Sequence, residues 1–390
     1  MPTDTPTQAD FIVIGAGMAG ASVAYWLAPH GRVVVLERES QPGYHTTGRS
    51  AAVYLEAYGS AQVRALTLAS RDFFLHPPAV FGEHPLMTLR GAMMVAAPDQ
   101  EAELDAHAQV LAGLGLRHER LTAEQACQRV PVLRPQMVSA ALLEPDACDL
   151  DVHAIHQGFL KGMRQHGGQL ACQAEVQALR HEAGLWTVQT TVGTWQAPVV
   201  LNAAGAWAER LGQMAGARSI GLVPYRRAAF TFALPAGVDA SDWPMTYSAG
   251  EDWYFKPDAG LLLASPANAD PTEPQDVQPE ELDIALGIHR IEEATTLTIR
   301  RPAHTWAGLR SFVADKSLVG GFDAQAPGFF WVAGQGGYGI QTAPAMGEAC
   351  ASLARGLPLP QRLTDFGLSA EALSPRRLGQ EPVDASNLGV

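Results

Sequence analysis

Gly15-Ala16-Gly17-Met18-Ala19-Gly20 sets three glycines at the spacing GxGxxG, directly after an apolar run and directly before a helix-forming stretch. Each glycine has a separate task in that context. Gly15 permits a tight turn, Gly17 lets backbone approach a pyrophosphate, and Gly20 lets helix and strand pack closely. The following helix start offers unpaired N–H groups and partial positive charge to phosphates. Seventeen residues beyond Gly20 stands Glu37, followed by Arg38, where a carboxylate would accept hydrogen bonds from adenosine ribose hydroxyls. Together these residues read as a dinucleotide site rather than a plain glycine turn.

Three further stretches favour FAD over a nicotinamide dinucleotide. Pro42–Ala52, containing Ser50 and Ala51, is a loop of small residues suited to lying over a flat ring. Val199–Trp207, containing Ala204 and Gly205, resembles the later strand and turn that pass beneath a flavin. Gly334–Gly339, containing Gly336, Gly337 and Gly339, opens a helix whose positive end could face the flavin N1–C2=O edge and stabilise the anionic reduced ring.

The elements that must position these residues are legible in outline. Asp10–Ile14 and Arg32–Leu36 read as buried strands on either side of a helix at Ala21–Leu27, a βαβ unit. A helix is expected over Asp151–Gln165, then strands at Gln169–Cys172, Leu185–Thr190 and Val199–Asn202. Pro85–Ala97, Arg226–Leu234, Trp253–Lys256 and Leu261–Ser265 read as strands, with a helix near Gln278–Ile291. These suit an antiparallel sheet backed by helices. Phe329–Ala333 and a helix from roughly Gln341 to Leu353 repeat the strand–glycine–helix theme. The fold class expected is α/β, α+β overall: a Rossmann-type FAD-binding domain with a discontinuous antiparallel-sheet substrate domain. The boundaries drawn are 1–84, 147–215 and 315–390 for the FAD domain, and 85–146 and 216–314 for the substrate domain. The tail from Pro375 shows no periodicity and is expected to fray.

Composition sets outer bounds. A length of 390 residues with 47% hydrophobic residues supports two domains sharing a large core. A formal charge of -13 argues against a nucleic-acid partner, since phosphate binding needs clustered Lys and Arg. The N-terminus carries no positive n-region, and no stretch reaches membrane-span length. Cys127, Cys148, Cys172 and Cys350 lie far apart without a CxxC pair, which fits a reduced protein with no metal site. A cytoplasmic location is expected, with peripheral contact at the inner face of the membrane left open by electron transfer to a quinone.

The chain resembles the FAD-dependent D-amino-acid oxidase/dehydrogenase superfamily, and within it the bacterial D-arginine/D-amino-acid dehydrogenases. The resemblance is carried by Gly43–Ala52, Ala57–Gly59, Glu124–Val130, Tyr254–Asp258, Ser265–Asp270, Ile291–Asp315 and Gly334–Thr342. It implies oxidation of a D-amino acid to its imino acid by hydride transfer from Cα to N5 of noncovalent FAD. Hydrolysis then gives a 2-oxo acid and ammonia, and a quinone or another acceptor reoxidises the flavin. Such chemistry needs a carboxylate clamp that aims Cα–H at the ring, and an Arg fork matches a carboxylate bidentately. By resemblance the clamp is Arg227 and Arg310, flanked by the hydroxyls of Tyr58 and Tyr254. Gly308 would offer a carbonyl to the amino group, and Gly337, Ile340 and Gln341 would line the flavin edge. Arg310 also stands out unaided, as a charge inside the apolar block Trp306–Ser311. Arg226 is expected on the opposite strand face. His153, His304, Trp207 and Trp306 are read as structural, and His45 either as structural or as a residue that tunes the flavin ring.

The pattern is broken in one region. Relatives that take cationic substrates carry a carboxylate in the strand matching Leu89–Met93, where this chain has Gly91 and Ala92. Tyr247 replaces a smaller aliphatic residue, and Glu56 reads as a solvated lid residue that would compensate for the lost carboxylate only if its side chain turned inward. The expectation is a preference for neutral or hydrophobic D-amino acids over D-arginine. A glycine- or sarcosine-type amine oxidase and an FAD-dependent 2-hydroxy-acid dehydrogenase are the rival readings, ahead of a non-catalytic flavin-binding protein.

Overall fold

The computed structural model of the protein describes residues 6–378. A six-stranded sheet holds the expected βαβ unit at its centre. Its strands run in the order Gln169–Ala171, Val33–Leu36, Phe11–Ile14, Val199–Asn202, Phe329–Ala333 and Val319–Phe322. All neighbours are parallel except the last pair. Alternation divides each central strand between two cores. Phe11 and Val13 join the helix Met18–Leu27 and the helix Ala343–Ala354 on one face. Ile12 and Ile14 meet Leu179, Trp186 and Val188 of a small antiparallel layer on the other. Burial on both faces explains the unbroken β-branched runs Phe11–Ile14 and Val33–Leu36.

The second large sheet runs from Asp270–Pro271 through Val223–Phe232, Leu261–Ser265, Tyr254–Asp258, Met245–Ser248 and Ala92–Ala96 to Ala140–Glu144 and Glu119–Thr122. His304–Phe312 pairs with the other edge of Val223–Phe232. Pairing is antiparallel throughout except where Met245–Ser248 lies parallel to Ala92–Ala96. One face packs Met93, Phe230 and Phe255 against the helix Glu281–Ala294 through Ile291 and Ala294. The other face is only partly covered, by the helix Glu101–Gly113 through Leu104 and Leu111. The remainder of that face looks toward the first sheet.

Two expectations need correction. Pro85–Ala97 is two strands: Met87–Leu89 pairs with Cys148–Leu150 in a three-stranded sheet, and Ala92–Ala96 enters the large one. Gly91 at φ +75° makes the break, a backbone conformation that favours glycine. The glycine run Gly334–Gly339 is a chain of turns rather than a helix start. The helix begins at Ala343, with Pro344 in its first turn. Of the tail, Pro375–Arg377 forms a 3-10 turn whose Arg377 is ion-paired to Asp315, so this part is anchored. The rest of the expected fraying falls outside the described residues. Among the described residues no helix is long and apolar enough to cross a membrane.

Candidate active site

The turn after Phe11–Ile14 behaves as its glycines require. Gly15 adopts φ +101°, and a Cβ there would stand 2.5 Å from the Ala203 carbonyl oxygen. A Cβ on Gly20 would stand 1.9 Å from the Gly15 carbonyl oxygen, so helix and turn are in backbone contact. Gly17, at the start of the helix Met18–Leu27, has only the Thr47 hydroxyl near its missing Cβ, at 3.3 Å. Thr47 Oγ1 accepts from the Met18 N–H at 2.9 Å. Glu37 is buried, and its carboxylate accepts from the N–H groups of Ala16 at 2.8 Å and Glu39 at 2.9 Å.

A cavity of about 570 Å³ opens on these residues. It runs from Glu37 and Arg38, past Gly15, Gly17, Ser50, Ala51, Ala204 and Gly205, to Gly336, Gly337, Gly339 and Ile340. Gly20 does not line it and acts behind the turn. Trp207, expected to be core, lines this cavity instead, with the His45 ring 4.7 Å from it and the Arg38 guanidinium 4.9 Å over it. His45 is held by Glu39 at 2.9 Å. Trp306 donates its indole N–H to the Arg49 carbonyl, a structural bond. Gln335, unnoticed in the sequence, lines the cavity with its amide nitrogen buried and unpaired. A long cavity, a glycine cradle, a carboxylate at one end and an unspent buried donor at the other fit an extended dinucleotide.

A second cavity of about 430 Å³ shares Ser50, Ala51, Arg227, Tyr254, Arg310, Gly337 and Ile340 with the first. Antiparallel register sets Arg227 opposite Gly308 and Arg310 opposite Tyr225, which places both arginines at this junction. Arg227 donates Nε to the Asn268 carbonyl at 2.5 Å, while its Nη1 is buried without a partner. Burial, then the like charge of Arg310, holds its guanidinium down at about 10. Arg310 is also pulled down by burial, but Tyr58, Tyr254 and Tyr338 outweigh this and raise it. Its Nη1 donates to the Tyr58 hydroxyl at 3.4 Å. Gly337 packs on that guanidinium: a Cβ there would lie 3.0 Å from its central carbon. Arg226 faces away, as expected, ion-paired with Asp283 at 2.9 Å and with Glu280.

Gln341 lines the second cavity, but its amide is spent on neighbouring chain. Oε1 accepts from Leu55 N–H at 3.1 Å, and Nε2 donates to the Leu55 carbonyl and Thr67 Oγ1. Its geometry is that of a positioning residue that pins the segment carrying Tyr58. Glu56 is not solvated: it is buried, ion-paired with Arg71 at 2.8 Å and reached by the Tyr54 hydroxyl. Burial raises its carboxyl despite Arg71. The cavity wall does hold a carboxylate, Glu144, which sits directly across the strand pair from Ala92. His107 Nε2 and the Tyr247 hydroxyl both donate to Glu144 Oε1, at 2.9 and 3.2 Å. Sequence reading passed over Glu144 and His107 and left Tyr247 without a partner. The available signal was an acid ending the fully buried strand Ala140–Glu144. No three His, Cys, Asp or Glu side chains among the described residues could hold a metal ion.

The glycine cradle and the cavity it opens define a flavoprotein oxidoreductase. The family model described as "DAO: FAD dependent oxidoreductase" matches residues 10–353, and the chain belongs to that family. Its cofactor is FAD. The chain is similar to FAD-dependent oxidoreductase domain-containing protein 1 of Bos taurus, 24% identical, over 89% of this chain and 81% of that one. Its fold is shared with glycine oxidase from Geobacillus kaustophilus (TM-score 0.79, 22% identity, 93% of this chain and 99% of the other). It is likewise shared with L-proline dehydrogenase from P. horikoshii (TM-score 0.82, 22% identity, 97% and 100%).

Proposed function

We propose that the protein oxidises the Cα–N bond of an amino acid, with D-amino acids as the substrate class, to an imino acid that water hydrolyses to a 2-oxo acid and ammonia. FAD, when bound, supplies the acceptor for the two electrons and the hydrogen leaving Cα, and a quinone or another acceptor takes them onward. The observation that carries this reading is the buried Arg227 Nη1 without a partner, beside Arg310, at the junction of the two cavities. Two like charges held out of water are stabilised by an arriving anion, and a carboxylate matches their planar forks. Tyr58 and Tyr254 line the same space and offer hydroxyls to finish the grip. Gln341 holds Leu55, which fixes the segment bearing Tyr58 across the cavity. The D-series assignment and the noncovalent attachment of FAD rest on the sequence resemblance.

Arg227→Met is expected to lower kcat/KM by two to four orders of magnitude, the scale of about 3–5 kcal/mol for breaking a buried charge pair. FAD content should be retained. A variant with full FAD and unchanged kcat/KM would remove the clamp from the account.

A second reading keeps the clamp and exchanges the primary amine for a secondary one. It is favoured by the likeness to L-proline dehydrogenase, since proline carries a secondary amine. Turnover of sarcosine or proline above every D-amino acid would establish it.

A further inference from the structure

We infer that Glu144, set by His107 and Tyr247 at the wall of the second cavity, is the recognition site for a basic substrate side chain. The protein would then act on amino acids that carry an amine or guanidinium at the end of the side chain. The inference rests on the proposed oxidation for which bond is broken. The subsite itself can be tested without turnover.

The argument begins with the strand register. Ala92 stands opposite Glu144 on one side and Met245 on the other, and Met94 stands opposite Tyr247, which in turn stands opposite Tyr254. Directly paired residues share a sheet face. Glu144 and Tyr247 therefore lie on the same face as Tyr254, which borders the arginine clamp.

Glu144 is a built feature of the wall. Its side chain is only 8% exposed. His107 descends on it from the helix Glu101–Gly113, one turn beyond Leu104, whose buried side chain sets that helix on the sheet. Both hydrogen bonds fall on Oε1, so among the described residues Oε2 has no protein partner. Carboxylate oxygens only accept, so the complement to Oε2 is a donor, and a cationic donor gains most in a confined space. The approach is lined by Met94, Tyr247 and Trp253, which suits the methylene stem of a long basic side chain. A substrate with a purely apolar end would cover Oε2 without replacing its hydrogen bond, which is costly. This subsite is proposed in place of the uncharged side-chain pocket expected from Gly91 and Ala92.

The test uses two unreactive carboxylates that differ only in a terminal amine. FAD-loaded protein is titrated calorimetrically with 6-aminohexanoate and with hexanoate, and turnover is measured with D-lysine and D-norleucine. 6-Aminohexanoate should bind about tenfold tighter or better, and Glu144→Gln or Glu144→Leu should cut that ratio to about threefold or less. Melting curves and FAD content check that the variants fold. Equal affinity of the wild-type protein for both ligands overturns the proposal with no variant needed. So does a ratio that survives Glu144→Leu. If 6-aminohexanoate binds tighter while neither amino acid is oxidised, the subsite stands and the oxidative reading falls. If both amino acids are oxidised and the ligands bind alike, the reverse holds.

Discussion

Glu56 carries its carboxyl into the protein beside Tyr54 and Arg71, and burial raises its proton affinity more than Arg71 lowers it. An acid whose folded pKa lies above its unfolded value favours the native state most when protonated. That contribution is present at low pH and lost as pH rises through the folded pKa. Glu56→Gln, which carries no charge, should match wild-type stability at pH 8 or exceed it by up to ~1 kcal/mol. The gap should close as pH falls through the acid range. Thermal melts of both proteins from pH 5 to 8 check this, and a Gln variant several degrees less stable at pH 8 would mean that the Arg71 pair dominates. At this scale the sequence was readable where a residue's environment is local. Arg310 announced itself as a charge within an apolar block, and the cavity holds it. Glu144 carries the same mark, an acid closing a buried strand, but its meaning depends on His107 and Tyr247, which lie 37 and 103 positions away in the chain. Glu56 misled because a loop acid is ordinarily solvated, and nothing nearby in sequence announces Arg71, 15 positions on.

The nucleotide-binding turn, as an element, is a set of backbone contacts. Gly17 leaves space for a ligand, whereas Gly20 leaves none even for a methyl group, since its Cβ would overlap the Gly15 carbonyl. Gly20→Ala must therefore push the helix Met18–Leu27 off the turn. The expected result is loss of most bound FAD and about 1–3 kcal/mol of stability. Absorbance at the flavin band relative to protein, with a melting curve, measures both; a fully loaded, equally stable variant would contradict the contact. Strands buried on both faces were well read, since Val199–Asn202 and Phe329–Ala333 match the expected bounds, and so was Leu185–Thr190, whose burial alternates cleanly along the strand. Broken and irregular strands were harder. Gly91 divides Pro85–Ala97 through a positive φ that a glycine permits but does not demand. His304–Phe312 escaped notice as a strand because alternation is blurred by Gly308 and by Arg310, a charge turned inward.

At the scale of the whole molecule, function arises where two sheets face each other. The parallel sheet presents the glycine turns and the long cavity, and the antiparallel sheet presents Arg227, Tyr254 and Arg310 at the junction. From that junction the second cavity leads to Glu144. This layout fits the proposed substrate, its carboxylate end set against two guanidiniums and its basic end against Glu144, in line with charge complementarity across a confined space. The class of fold was legible because the motif and its flanking strands are contiguous in sequence. The meeting of the two cavities was not, because it is assembled from segments between Ser50 and Gln341. The central claim, oxidation of an amino acid at Cα, is tested most directly by adding D- and L-enantiomers of Leu, Phe, Met, Arg and Lys to FAD-loaded protein without oxygen and following the visible absorbance of the oxidised flavin. The account predicts bleaching by the D series, fastest with the basic members. Flavin that stays oxidised with every one of them would contradict it.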